Sequence, residues 1–179
     1  YHAARARASG LAAPVAALNI GGVANITLIN GEEDLLAFDT GPGNGMIDLM
    51  LQERGLGRFD EDGRLALAGR IDETALASLL DSAYFDAPAP KSLDRYDFSL
   101  APVQHLSAED AAATLVAFTA EAVFKAFAQT GETPSALIVC GGGRHNPAIM
   151  QTLAKRAPVP VQAAEAYGWR GDSIEAEAF

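Results

Sequence analysis

The chain has 179 residues, 49% of them hydrophobic and 20% charged, with a formal net charge of −10 from 13 basic and 23 acidic residues. This is the composition of one globular domain with a genuine core, and its negative balance weighs against nucleic acid or a membrane surface as partner, because both present phosphate. No apolar run in the sequence approaches the roughly 20 residues that span a bilayer, and the single Cys140 permits no internal disulfide, which suits a cytoplasmic protein.

The opening YHAARARA reads as the tail of a helix already under way. Residues 14–20 are an apolar strand, Gly21-Gly22 a turn, and the β-branched run to Ile29 a second strand. Asn30-Gly31 predicts a type I′ hairpin, with LLAFD (35–39) as the returning strand. The helical spacing of Met46, Ile47, Met50 and Leu51 predicts a helix that Gly55 stops. Residues 60–63 (DEDG) read as a polar turn, Asp72 as the cap of a helix through Leu80, and the proline-broken stretch 84–98 as a long loop. Ser107 with Asp110 resembles a capping box opening a long helix that ends at Gly131. That helix is apolar on more than one side and is expected at the centre of the core. Residues 135–156 then read as strand, glycine loop and helix with Pro147 in its first turn, VPVQAA (159–164) as a last strand, and the closing GDSIEAEAF as the start of a last helix without a stop signal. The hairpin-rich start and the later alternation predict an α/β fold, a mixed sheet flanked by helices. Both ends read as cut, so a piece of a longer protein is expected.

Three glycine-rich junctions could carry chemistry: NIGGVAN (19–25), DTGPGNG (39–45) and CGGGRHN (140–146). The second and third stand between a strand and a helix, where unpaired amides and the helix dipole favour an anion. None matches the dinucleotide pattern G-x-G-x-x-G or the phosphate-loop pattern G-x-x-x-x-G-K-[ST], and no lysine follows any of them. Tight turns and ligand loops both remain open as readings. Asp39, at the end of an apolar strand, is suited either to hold Mg²⁺ through water or to tie down its own loop. Asn44 and Asn146 stand at helix starts and are expected to cap them. Arg144 is read either as a phosphate or base contact or as a solvated side chain. His2 and His105 lack partners at metal-ligand spacing, and Cys140 reads as a core residue. Glu175 and Glu177 are surface carboxylates unless one reaches a ligand.

LNIGGVANIT, FDTGPGNGMID, APKS, ATLVAFTAEAV, VCGGGRHNPAIMQTL and DSIEAEAF, in this order, resemble the anhydro-N-acetylmuramic acid kinase family over nearly the whole chain. The resemblance implies an actin-like ATPase (ribonuclease H-like) fold of the sugar kinase and Hsp70 superfamily, with residues 1–179 as the C-terminal nucleotide-binding domain of a two-domain kinase. It implies ATP and Mg²⁺ as cofactors, 1,6-anhydro-N-acetylmuramic acid as substrate, and N-acetylmuramic acid 6-phosphate as product of a reaction in which water opens the anhydro ring during peptidoglycan recycling. A homodimer is among the expectations. In the same reading Gly21 and Gly22 approach the ATP phosphates and Gly141, Gly142 and Gly143 pass the nucleoside, with Asn146 opening the next helix. Asp39, Gly41, Gly43 and Asn44 lie near nucleotide or sugar, and Glu175 meets the muramic acid.

The sequence departs from the family after Lys91-Ser92, where Leu93-Asp94-Arg95-Tyr96 stands in place of the usual Thr-Gly-Arg-Glu. No role is given to Leu93 or Asp94, whereas Lys91, Ser92 and Arg95 keep theirs. The family's first phosphate loop and the aspartate that serves as general base are expected upstream of Tyr1, so the chain alone is expected to be inactive. Two further readings stand beside this one: a different sugar kinase of the superfamily, and a non-catalytic ATP- or sugar-binding module.

Overall fold

Alternation of apolar side chains with period two builds the sheet at the heart of the computed structural model, which describes residues 10, 11, 13–31, 34–94, 97–169 and 171. Strands β1 (Val15–Ile20), β2 (Val23–Ile29) and β3 (Leu35–Pro42) pair antiparallel, and β4 (Leu137–Cys140) and β5 (Val161–Ala163) add in parallel beyond β1, giving the order β3-β2-β1-β4-β5. Ala16, Leu18 and Ile20 face the larger core with Ile26, Leu28 and Phe38. Val15 and Ala17 face the other side with Ile138, Cys140 and Trp169. The predicted mixed sheet flanked by helices is the one observed.

The β2–β3 connection differs from the predicted two-residue hairpin. Ile29 pairs with Leu35, so five residues intervene, and the Asn30 amide donates to the Asp34 carbonyl at 3.0 Å. The observed register sets Phe38 opposite Ile26, both buried in the core. A two-residue turn would shift the pairing by an odd number and turn that alternation over. Toward its end β3 carries a bulge: Asn25 pairs with Asp39 but Ala24 with Gly41, and the extra residue, Thr40, is buried with its hydroxyl donating to the Ala24 carbonyl.

Helix α1 (Gly45–Glu53) buries Met46, Ile47, Met50 and Leu51 as their spacing predicts. It closes at Gly55, where φ is +67° and the amides of Gly55 and Leu56 donate to Gln52 and Leu51. Two short helices go beyond the sequence reading: α2 (Arg64–Ala68), directly after the expected turn at 60–63, and α4 (Ala83–Asp86), at the start of the expected loop. Between them α3 (Glu73–Leu80) is capped as expected, Asp72 accepting from the Ala75 amide at 2.8 Å. Helix α5 (Ala108–Thr130) runs through the core against β3, α2 and α3 and ends at Gly131. Only half of its capping box forms: Ser107 accepts from the Asp110 amide, while the shorter Asp110 side chain binds the Arg70 amide instead.

Contrary to the reading of the sequence, α5 is long and apolar enough to cross a membrane by length and composition, yet 72% of its apolar window is buried inside the protein, as in a core helix. Helix α6 (Pro147–Arg156) follows β4 and covers the same face. The helical tail expected at 1–8 and most of the helix expected at 171–179 lie outside the described residues.

Candidate functional site

The first two glycine junctions are hydrogen-bonded into one body. The Gly43 and Gly45 amides donate to the Gly22 carbonyl at 3.0 and 3.1 Å, and the Asn44 amide to the Gly21 carbonyl at 2.8 Å. A side chain on Gly43 would collide with the Gly21 carbonyl oxygen, and a Cβ on Gly45 would stand 2.7 Å from that of Gly22. These two glycines are therefore needed for the loops to meet, whatever binds there. Gly41 likewise faces away from solvent, where a Cβ would lie 2.7 Å from that of Ala122 on α5.

The third junction joins the same body from the β4 end. Gly141 packs against Asn19 and Ile20, and Gly143 against Ile20. Gly22 and Gly142 are of another kind: both are exposed, a Cβ on Gly22 would meet nothing within 4 Å, and one on Gly142 would have Asn44 as its near neighbour at 3.8 Å. Where no packing requires glycine, an open backbone is room for a ligand.

Beside Gly142 lies a cleft of about 490 Å³, within the range of small-molecule sites. It is lined by Asn44, Ile47 and Asp48 at the start of α1, by the segment 59–62, and by Gly142, His145 and Asn146. Asn146 caps α6, its side-chain oxygen accepting from the Ala148 and Ile149 amides at 3.0 and 3.4 Å. Asn44 does not cap α1, which corrects the sequence expectation. Its backbone is already helical (φ −64°, ψ −21°) instead of extended, so its amide group stays in the cleft wall. One helical turn on, burial pushes the Asp48 carboxyl up to about 6. Asp60, itself buried, spends both carboxylate oxygens on the Leu65 and Ala66 amides.

Asp39 lines a different cleft, of about 500 Å³, with Asn25, Lys91 and Ser92. Its Oδ2 accepts from the Leu93 amide at 2.8 Å, its own amide donates to the Lys91 carbonyl at 3.0 Å, and the Tyr84 hydroxyl donates to its carbonyl. Burial, then the Asp39 and Asp97 carboxylates, push the Tyr84 phenol up to about 12. The Lys91 ammonium is wrapped by the Tyr84 and Ala87 carbonyls and by Gln129, at 2.8, 3.0 and 3.0 Å. Asp39 toward the end of β3 and Asn44 before α1, five residues apart in one glycine-rich junction, thus face separate clefts.

Arg144 is neither solvated nor turned to the cleft. It is buried, pairs with Glu165 at 2.8 Å and donates to the Gly141 carbonyl at 2.7 Å, fixing the third junction from behind. Glu175 lies outside the described residues, as does Arg95. The cleft residues that sequence reasoning missed are Ile47, Asp48 and Phe59 to Asp62. The i, i+4 spacing from Asn44 to Asp48 carried a local signal. The turn at 60–63 carried none, because it meets the site only through the packing of Gly63 against Asn146.

The family model described as anhydro-N-acetylmuramic acid kinase matches residues 3–179. Two proteins of that name are similar over the whole chain: one from Caulobacter vibrioides at 90% identity and one from Phenylobacterium zucineum at 64%, the chain covering 48% of each. The chain therefore spans about half the length of the curated relatives it matches. Among solved structures, the xylulose kinase from Bifidobacterium adolescentis aligns with a TM-score of 0.62 at 17% identity, over 90% of this chain and 36% of that one. The activator of the 2-hydroxyisocaproyl-CoA dehydratase from Clostridium difficile with bound ADPNP aligns with a TM-score of 0.57 at 14% identity, over 92% and 58%. At such identities the likeness is one of fold, and that fold is the actin-like ATPase one.

Proposed function

The chain belongs to the anhydro-N-acetylmuramic acid kinase family, and from that premise we propose that it supplies the nucleotide-holding half of a cytoplasmic kinase. The whole protein would phosphorylate 1,6-anhydro-N-acetylmuramic acid with ATP while water opens the anhydro ring, releasing N-acetylmuramic acid 6-phosphate in peptidoglycan recycling. The observation that carries this reading is the division among the glycines. Gly43 and Gly45 are consumed in docking the loops, which leaves Gly22 open on the surface and Gly142 open in the wall of the cleft that Asn44 also lines. Backbone left bare in this way suits a nucleotide, since amides can approach phosphate oxygens without interference from side chains.

In this reading Gly21 and Gly22 meet the phosphates, while Gly142 and Asn146 border the nucleoside. The residues behind them, Gly41, Gly43, Gly45, Gly141, Gly143 and Arg144, hold those positions rigid, as phosphoryl transfer by positioning requires. Among the described residues no group of three or more His, Cys, Asp or Glu is placed to share a metal ion. Mg²⁺ would be held mainly by the nucleotide's own phosphates and by water, where it offsets their charge. No general base is assigned to this chain, and the 179 residues alone are expected to phosphorylate nothing.

The test is an assay of the full-length protein with ATP, Mg²⁺ and one of three sugars, products read by mass spectrometry. The expected result is phosphorylation of the anhydro sugar with ring opening, and not of N-acetylmuramic acid or glucose. Preference for glucose would indicate another sugar kinase; nucleotide binding without turnover of any sugar would leave a binding module.

A further inference from the structure

Four carboxylates line the cleft beside Gly142, and the fold treats them differently. Asp60 is buried and accepts from the Leu65 and Ala66 amides at 3.0 and 3.1 Å. Glu61 pairs with Arg64 at 3.0 Å, and Asp62 is exposed to water. Asp48 has neither a partner nor full hydration. The helical period turns Met46, Ile47, Met50 and Leu51 into the core and leaves Asp48 at the margin of that face, half-buried. Among the described residues no amide, hydroxyl or cation engages its carboxylate, and burial alone raises it to about 6. The neighbouring cations are turned elsewhere: Arg54 donates to the Val103 and Leu106 carbonyls, Arg64 to Glu61, and Arg144 to Glu165. The remaining titratable group of the lining is His145, on the third junction.

A carboxylate so placed is a proton site whose occupancy a ligand can change. The cleft holds about 490 Å³, so a nucleotide filling it lies within about one Debye length, roughly 8–10 Å, of Asp48. Mg²⁺ offsets only part of the charge of ATP. What remains repels ionised Asp48 whichever way the nucleotide lies, and more strongly in a partly desolvated cleft than in bulk water. Protonated Asp48 carries no charge and presents an O–H that can donate to a ligand oxygen.

We propose that this cleft takes up ATP and a proton together, Asp48 being neutral in the complex, so that affinity for ATP falls as the solution turns from mildly acidic to mildly alkaline. The coupling is a regulation of the nucleotide site and rests on the nucleotide reading. Its direction follows from linkage: an anionic ligand makes the Asp48 carboxyl hold its proton more tightly than in the free protein. Affinity is therefore full below the ligand-free value of about 6 and declines above it until Asp48 ionises in the complex as well. Each further unit by which ATP raises that value is about a tenfold difference in affinity.

The experiment is calorimetric titration of the full-length protein with ATP and Mg²⁺ from about pH 5 to about pH 8, each point in two buffers of different ionisation heat so that proton uptake is read with affinity. The wild type is expected to bind ATP about tenfold more weakly at the alkaline end and to take up protons on binding between about pH 6 and pH 7. Asp48→Asn, uncharged throughout, is expected to lose the decline and to keep only the uptake that the terminal phosphate of ATP contributes. Asp62→Asn, which removes an exposed carboxylate of the same cleft, is expected to keep both. If Asp48→Asn follows the wild-type profile, or if wild-type affinity rises with pH, the coupling is overturned and the nucleotide reading survives. Proton release in place of uptake by the wild type overturns it equally, whether or not the variants fold. If the wild type binds no ATP at any pH, the nucleotide reading itself is lost and the coupling with it.

Discussion

Asn44 and Asn146 look alike in the sequence, each before a helix, and the structure gives them different work. Asn146 satisfies the first amides of α6, so Asn146→Ala should cost about 1 kcal/mol of stability, read by urea unfolding. Asn44 leaves α1 uncapped and its side chain in the cleft, so Asn44→Ala should leave stability nearly unchanged. Asp48 makes a sharper case. Burial raises its carboxyl from 3.8 to about 6, so the folded state holds the proton more tightly than the unfolded one. Its favourable contribution is complete below 3.8 and is lost as pH rises through 6. At pH 7 the ionised form therefore opposes folding, by about 3 kcal/mol before screening and by about 1 kcal/mol once the half-exposure of the group is allowed for. Asp48→Asn should stabilise the protein by about that amount at neutral pH and by almost nothing near pH 4, measured by denaturant unfolding at the two values. Retention of such a group is what a ligand-facing position would explain.

At the scale of elements, the docking of one glycine junction on another separates two substitutions that look equivalent on paper. Gly43→Ala should destabilise by roughly 2 kcal/mol or more, because its Cβ meets the Gly21 carbonyl. Gly22→Ala meets open space and should leave thermal unfolding nearly unchanged while lowering ATP affinity, so calorimetric scanning and titration together distinguish them. The loop at 84–98 is ordered for reasons its prolines concealed. Phe85 and Phe98 pack on Phe118 of α5 and Tyr84 packs on both of them, at ring separations of 5.3–6.0 Å. The Lys91 ammonium gathers the carbonyls of Tyr84 in α4 and of Ala87 just after it, and its own carbonyl takes the Asp39 amide, which shields part of the free edge of β3. Lys91→Met should release this segment at a cost of about 2 kcal/mol, visible as faster amide exchange at Asp39 and Leu93. Caps and stops at Asp72, Gly55 and Gly131 were legible because each acts within a turn of its own helix. The hairpin register and α2 were not, since the first is set by Phe38 meeting Ile26 and the second by Asp60 reaching its amides.

For the whole molecule, the sequence pattern was enough for the class of fold, because strands and helices announce themselves by period. It was not enough for the strand order, in which β4 returns beside β1 across more than a hundred residues, or for the fact that one glycine-rich loop serves two clefts. Three such junctions gathered at one end of the sheet also explain why no standard phosphate fingerprint appears in any of them: the cradle is assembled from parts distant in the chain. The central claim is that the cleft lined by Asn44 and Gly142 holds the nucleotide of a sugar kinase. Its most direct test is a crystal structure of the full-length protein with a non-hydrolysable ATP analogue. The account predicts the analogue in the cleft lined by Asn44, Gly142 and Asn146; an analogue seated instead among Asp39, Lys91 and Ser92 would contradict it.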